Sequence, residues 1–378
     1  MRHRRRKSKK YMKTAVFIIL PVITVLIINN SDRLKEKKEI KPVNRIIEQD
    51  EIVTNESNPN DDILCGSLIL SHGYGVKPEI EQGENYLILP SPLETKSDDK
   101  GEVPYPENFG GGGELIRTTF GEYIGDSFFN LADGGQVNNK TEIPNQILIN
   151  DSWFMPNFTI ENTDEPLVLL YHTHTCESYE PYVRDEYDLN FNYRTTDENR
   201  NMVMVGNAIQ AELETQGIGV VHASTIHDHP SYNGAYDRSR ETILSILEEY
   251  PSIKIVLDIH RDALSEENTA YQPFIRVEGK ECAQIMIISG CDDGTMGMPN
   301  YMENFHFACA LQQKLETDHP GFTRPVLFDY RCYNQDLTNG SLLVEIGSFG
   351  NTLEQSQFAG QLFGKSLGEF INSLKKGD

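Results

Sequence analysis

Two histidines and a glutamate fall within six positions in Tyr171-His172-Thr-His174-Thr-Cys176-Glu177. Imidazole nitrogen with carboxylate oxygen is a donor set that zinc accepts, and a hydrolytic zinc ion keeps three protein donors and one open position. In an extended backbone side chains alternate, which would turn His172 and His174 to one face, with Glu177 folding back after a turn. Short His-x-His motifs also occur as hydrogen-bonded loop residues, so the spacing alone leaves both readings open. Cys176 could add a soft ligand, but harder donors suffice here, and it reads as a small buried filler.

Asp258-Ile-His260-Arg261-Asp262 supplies a third imidazole. Metal-bound histidines usually give their second ring proton to a carboxylate, and Asp258 and Asp262 are both placed for that. An ordinary Asp258–Arg261 ion pair is the alternative. Glu345 lies inside the apolar run Leu342-Leu-Val-Glu345-Ile-Gly347. A carboxylate among such neighbours is costly unless something positive faces it. Zinc with its water would serve, and so would a salt bridge to Arg238, Arg240 or Arg261. These three arginines are also the candidate clamps for substrate carboxylates, with pairing of Arg238 and Arg240 to Asp237 and Glu241 as the alternative. His227-x-His229 is followed by Pro230 and reads as part of a surface loop.

The elements that must carry these groups alternate. Leu167 to Tyr171 is an apolar run that reads as a buried strand of a parallel sheet. Further strands are expected at 218–222, 253–260, 284–289 and 341–347. Helices are expected at 199–216, closed by Gly217, and at 239–250, 301–315 and 352–375, the last with Ala359, Leu362, Ser366, Phe370 and Leu374 as one stripe. This order predicts a three-layer α/β domain with a mainly parallel sheet. Ligands bind such sheets outside the carboxyl ends of the strands, and His172, His174, His260 and Glu345 all fall at or near those ends.

The formal net charge of -23 conceals two regions. Residues 1–41 hold 13 basic and 3 acidic residues, and the remainder is strongly acidic, which argues against nucleic-acid binding. The basic head is followed by an apolar run from Ala15 to Ile28, the order of a signal anchor. Asn29-Asn30-Ser31-Asp32 offers no small-x-small cleavage site, so an uncleaved single-pass anchor is favoured over a cleaved signal. The expected organisation is a cytoplasmic basic head at 1–13, a transmembrane anchor at 14–30, an acidic spacer at 31–114 and a catalytic domain at 115–378 with its core at 166–375. Within the spacer, 63–70 and 86–89 are candidate strands, and Gly110 to Gly113 reads as a flexible joint. The six cysteines are too sparse for a disulfide scaffold.

Four motifs, in order, carry a resemblance. They are His172-Thr-His174-Thr-Cys-Glu177-Ser-Tyr179, Ser231-Tyr232-Asn-Gly-Ala-Tyr236-Asp237-Arg238-Ser239-Arg240-Glu241-Thr242, Asp258-Ile-His260-Arg261-Asp262 and Val344-Glu345-Ile-Gly-Ser-Phe-Gly-Asn351. Together they resemble the stage II sporulation protein P family over about 166–375, and the basic head, anchor and acidic spacer agree with it. That family is similar in turn to the zinc N-acetylmuramoyl-L-alanine amidases. The resemblance implies a Zn2+ cofactor held by His174 and His260, with His172 as the neighbouring candidate. The third ligand is Glu177, with Glu198 as the alternative, and Glu345 is the catalytic glutamate. It also implies cleavage of the N-acetylmuramoyl-L-alanine bond of peptidoglycan, with endopeptidase action on stem-peptide crosslinks. The implied setting is engulfment during endospore formation, at the mother-cell engulfing septal membrane, with stage II sporulation proteins D and M as partners. Two alternatives remain: a zinc peptidase acting on stem peptides only, and a catalytically inactive wall-binding scaffold on the cell membrane.

Overall fold

Apolar residues at every position of Val168–Tyr171 require cover on both faces, and the fold supplies it. A computed structural model describes residues 102–161 and 163–375, together with the backbone of Ile88–Leu89. The strands are β1 (Ile88–Leu89), β2 (Gly112–Thr118), β3 (Phe128–Asn130), β4 (Gln136–Asn139), β5 (Val168–Tyr171), β6 (Glu186–Asp188), β7 (Val220–Ala223), β8 (Ile255–Asp262), β9 (Ser265–Glu266), β10 (Thr269–Val277), β11 (Lys280–Ala283), β12 (Ile285–Gly290), β13 (Val326–Asp329) and β14 (Ser341–Ser348). Helices span Asn145–Asp151, Val203–Thr215, Ala235–Glu249, Tyr301–Asp318 and Leu353–Leu374.

Nine strands form the main sheet in the order β1-β7-β5-β8-β14-β12-β13-β4-β3. Only the β14–β12 and β4–β3 pairs are antiparallel. β5 lies between β7 and β8, which is why its side chains are all buried. Alternation sorts them: Val168 and Leu170 join Val205, Ile209, Phe307, Phe363 and Leu367 beneath three helices. Leu169 and Tyr171 instead join Ile243 and Ile246 of the helix Ala235–Glu249 on the other face. These are the expected three layers. Each fully buried aliphatic side chain contributes about 1.5–3 kcal/mol relative to exposure.

The last helix is fixed at its start by a capping box, in which Thr352 accepts from Gln355 N and the Gln355 side chain accepts from Thr352 N. Its stripe differs from the expected one. Gly360, Gly364 and Gly368, four residues apart, face the helix Val203–Thr215, where a Cβ on Gly364 would come 2.7 Å from Ile209 O. Phe363 and Leu367 are buried while Leu362 and Leu374 are only partly so. The small-residue ridge lets two backbones approach, and an apolar stripe count does not register it.

A smaller sheet, β11-β10-β2-β6, with β9 on the edge of β10, was absent from the sequence expectations. Gly112 and Gly113, expected in a flexible joint, belong to β2 and pair with Asp188 and Tyr187 of β6. The missing Cβ at Gly113 makes room for the Tyr187 ring. The expected boundary at 114–115 therefore falls inside a strand. Of the strands expected in the spacer, Ile88–Leu89 runs parallel to β7, and 63–70 lies outside the described residues. The expected membrane anchor also lies outside them, and no described helix is long and apolar enough to cross a membrane.

Candidate metal centre

His260 sits on β8 directly opposite Glu345 of the parallel neighbour β14. Glu345 is the last regularly paired residue before a bulge in which Gly347 takes φ 69°, and beyond it Ser348 pairs with Asp262. Across the other edge of β8, Tyr171 of β5 pairs with Asp258. There β5 ends, because the Asp258 carboxylate takes over the next backbone amide: Thr173 N donates to Oδ1 at 2.8 Å and Thr173 Oγ1 to Oδ2 at 2.7 Å. The chain turns through residues 173–176, with Glu177 N donating to His174 O at 3.2 Å. Glu177 is pinned from two sides. Its neighbours Cys176 and Ser178 exchange backbone bonds with 193–195, and Arg261 N donates to Glu177 Oε2 at 3.2 Å.

These turns bring three donors together. Ligand atoms of His174, Glu177 and His260, all buried, lie within 4.8 Å of one another. His174 Nδ1 is 3.6 Å from Glu177 Oε1, and His260 Nδ1 is 3.8 Å from Glu177 Oε2. Ligands about 2.1 Å from a tetrahedral zinc stand roughly 3.4 Å apart; the two Glu177 separations come near that, and the donor set, spread over up to 4.8 Å, would close slightly around such an ion. The other nitrogen of His260, Nε2, faces Asp258 Oδ1 at 2.8 Å, the carboxylate partner typical of a metal-bound histidine. Asp262, the alternative, is paired with Arg324 at 2.7 Å.

The electrostatics ask for a cation. Burial lowers the proton affinity of His260, yet the Asp258, Glu177 and Glu345 carboxylates push its pKa up to about 9. His174 goes the other way: burial, then His260 and Arg194, hold its pKa well below the ordinary value, which favours the neutral ring that a metal can bind. Glu345 is pushed up to about 8 by burial and by the Asp262 and Glu177 carboxylates, against the pull of His260 and Arg324. Its Oε2 is shut from solvent and has no hydrogen-bond partner among the described residues.

Not every expected residue arrives. His172 does not share the face of His174, because the strand that would have imposed alternation has already ended. It turns into the core instead, where Nδ1 lies 2.8 Å from Ile259 O and Nε2 lies 2.9 Å from His222 Nε2. Burial pushes it down to about 4. Glu198 is exposed and outside the donor group. Cys176 is a buried free thiol outside it too.

The three arginines are bound into the scaffold. Arg238 donates to the carbonyls of His227, Ser231 and Asn233, Arg240 pairs with Asp336, and Arg261, only 7% exposed, donates to Ser178 O and Tyr193 O. These partners of Arg238 and Arg261 do not include Glu345. The 227–229 stretch is no surface loop: His227 is buried, with Nδ1 2.7 Å from His172 O and Nε2 2.9 Å from Thr242 Oγ1. Sequence reasoning missed the wall around His174. Tyr232 stacks on its ring at 4.4 Å, Tyr236 meets it edge-on at 5.6 Å, and Arg194, paired with Asp228, lies over Tyr232 at 4.8 Å. Tyr232 lies in the loop before the N-cap Gly234 and Tyr236 in the first turn of the helix, so no helical spacing marked the pair.

The family model described as stage II sporulation protein P matches residues 126–367. Stage II sporulation protein P of Bacillus subtilis (strain 168) is 31% identical over 207 residues, which are 52% of this chain and 49% of that one. The chain thus spans about half the length of the curated relative it matches. Among solved structures, an N-acetylmuramoyl-L-alanine amidase from Clostridium difficile 630 aligns at 14% identity and TM-score 0.35, over 56% of this chain and 97% of its own. One from Nostoc punctiforme aligns at 12% and 0.33, over 55% and 96%. Likenesses that distant leave the assignment to the family match, which covers well over half of the sequence and contains all four motifs around the donor cluster: the chain belongs to the stage II sporulation protein P family.

Proposed function

We propose that the chain is a zinc-dependent hydrolase of peptidoglycan. It cleaves the amide between N-acetylmuramic acid and L-alanine, and stem-peptide crosslinks as well. It works outside the cytoplasm from a single membrane anchor during engulfment, with stage II sporulation proteins D and M as partners. Family membership supports the setting. The observation that carries the chemistry is Glu345, a carboxylate with a raised pKa and an unpartnered Oε2, held in register beside His260 of a three-donor cluster.

His174, Glu177 and His260 would hold the zinc. Bound there, it lowers the pKa of a water toward neutrality and polarises the scissile carbonyl. Glu345 Oε2 takes the proton of the attacking water, and its raised proton affinity suits it to pass that proton to the departing amine nitrogen. Asp258, fixed by Thr173, holds His260 Nε2 so that Nδ1 keeps its aim toward Glu177. The Tyr232 ring limits the tilt of His174.

The test compares the full chain with Glu345→Gln on purified sacculi, following zinc content, peptide release and peptide-free glycan. The variant is expected to keep stoichiometric zinc and lose release by about 10²–10⁴-fold, the usual worth of a positioned acid–base group. Full release by the variant would refute the assignment of Glu345. Peptide fragments without peptide-free glycan would leave a stem-peptide peptidase, and absence of zinc would leave a wall-binding scaffold.

A further inference from the structure

A cavity of about 600 Å³ is lined by Tyr105, Pro106, Glu107, Asn108, Phe109, Pro181, Tyr182, Asp197 and Arg200. None of these residues belongs to the donor cluster, and no step above uses them. Its chemistry is mixed in a particular way. Tyr105, Phe109 and Phe191 pack as a rigid aromatic group, with centroids 5.2, 5.7 and 5.5 Å apart. Tyr182, by contrast, is 59% exposed at the rim and joins no ring contact among the described residues. Two carboxylates, one amide and the Arg200 guanidinium, which lies 5.4 Å from the Tyr105 centroid, provide hydrogen-bonding groups of both kinds.

The cavity is mechanically tied to the centre. Tyr105 OH donates to Tyr179 O at 2.7 Å, and Glu180 N is bonded to the carbonyls of Phe349 and Asn351, just beyond Glu345. Glu177 and Pro181 are only four positions apart, so their Cα atoms are at most about 14 Å apart.

Resting on the reading above, we infer that this cavity is a subsite for the glycan strand of peptidoglycan, holding a neutral pyranose ring against Tyr182 while the neighbouring peptide-bearing sugar occupies the metal centre. A pyranose offers an apolar C–H face for an aromatic ring and hydroxyls for carboxylate, amide and guanidinium groups, which is the set present here. The neutral ring is the N-acetylglucosamine of the strand; a stem peptide, like the free lactyl group of a peptide-free N-acetylmuramic acid, carries a carboxylate that would meet Glu107 and Asp197.

The experiment uses the full chain in detergent with Tyr182→Ala. Two probes are used: peptide-free glycan strands prepared from sacculi, for direct binding, and a soluble single-disaccharide muramoyl peptide, for turnover. Wild-type protein should bind the peptide-free strands, and Tyr182→Ala should weaken that binding several-fold. Cleavage of sacculi should show a raised KM with kcat and zinc content unchanged, while the small substrate is turned over as by wild type. No binding of peptide-free strands, unchanged binding by Tyr182→Ala, or displacement of the strands by free stem peptide would each overturn the subsite. Strand binding is read without hydrolysis, so failure of the hydrolase reading appears separately, as wild-type protein inert on both substrates.

Discussion

Replacing Asp258 with Asn tests whether the carboxylate behind His260 does more than hold the fold. Asp258 Oδ1 meets His260 Nε2 at 2.8 Å and accepts from Thr173 N at 2.8 Å, while Oδ2 accepts from Thr173 Oγ1 at 2.7 Å. An Asn can keep its oxygen at the Oδ1 place. Its NH₂ then donates to Thr173 Oγ1, whose own proton turns to Ser239 Oγ, 2.8 Å away. The turn at 172–175 is thereby preserved, and only the charge is lost. The substitution removes the negative charge 2.8 Å from the ring of a metal-bound histidine, and zinc affinity is expected to fall about tenfold, the lower end of the 10–100-fold usual for such outer partners. Titration against a chromophoric chelator at fixed pH reads this directly. Thr173→Val is the control: it removes the hydroxyl bonds, is expected to lower stability by about 1 kcal/mol, and should leave zinc affinity alone. Zinc binding by Asp258→Asn as tight as wild type, or equal weakening by both variants, would refute the reasoning.

Three further outcomes follow from the scaffold. Gly206→Ala should lower stability by about 2 kcal/mol, because the new Cβ meets the buried His222 ring and comes within 2.9 Å of His172 Nε2, with no room for either to retreat. Its urea midpoint should fall, and an unchanged midpoint would contradict the packing described. Burial and His172 hold the His222 pKa well below its ordinary value, so the unfolded chain takes up that proton first. The associated stability is complete above about pH 6.5 and is lost as pH falls toward the folded value, by up to about 1.4 kcal/mol per pH unit. In urea titrations with chelator present, His222→Gln should have a shallower acid slope than wild type; equal slopes would exclude this source. Arg184 donates to both oxygens of the buried Glu180, at 2.6 and 3.0 Å. Arg184→Met should cost about 3 kcal/mol by stranding that carboxylate, and adding Glu180→Gln should recover a measurable part of the loss.

Much of this protein was written locally. Four-residue apolar runs need two covered faces, so β5, β7 and β8 and the helices between them could be placed from pattern alone. The donors His174 and His260 and the carboxylates Glu177, Asp258 and Glu345 stood out for the same local reason: charge or imidazole at the end of, or within, an apolar strand. Other features needed the folded chain. Alternation put His172 beside His174, but it holds only while a strand continues, and β5 stops at Tyr171 because a carboxylate 85 positions away captures the Thr173 amide. The arginines looked free because the carbonyls that bind them come from loops whose course no sequence pattern gives. The glycines at 112–113 signalled a joint, whereas in the fold they are where a tyrosine ring crosses a strand. Residue type and short spacing determine what chemistry the chain can do; which of those groups share one pocket is decided by long-range bonds that exist only once the sheet has formed.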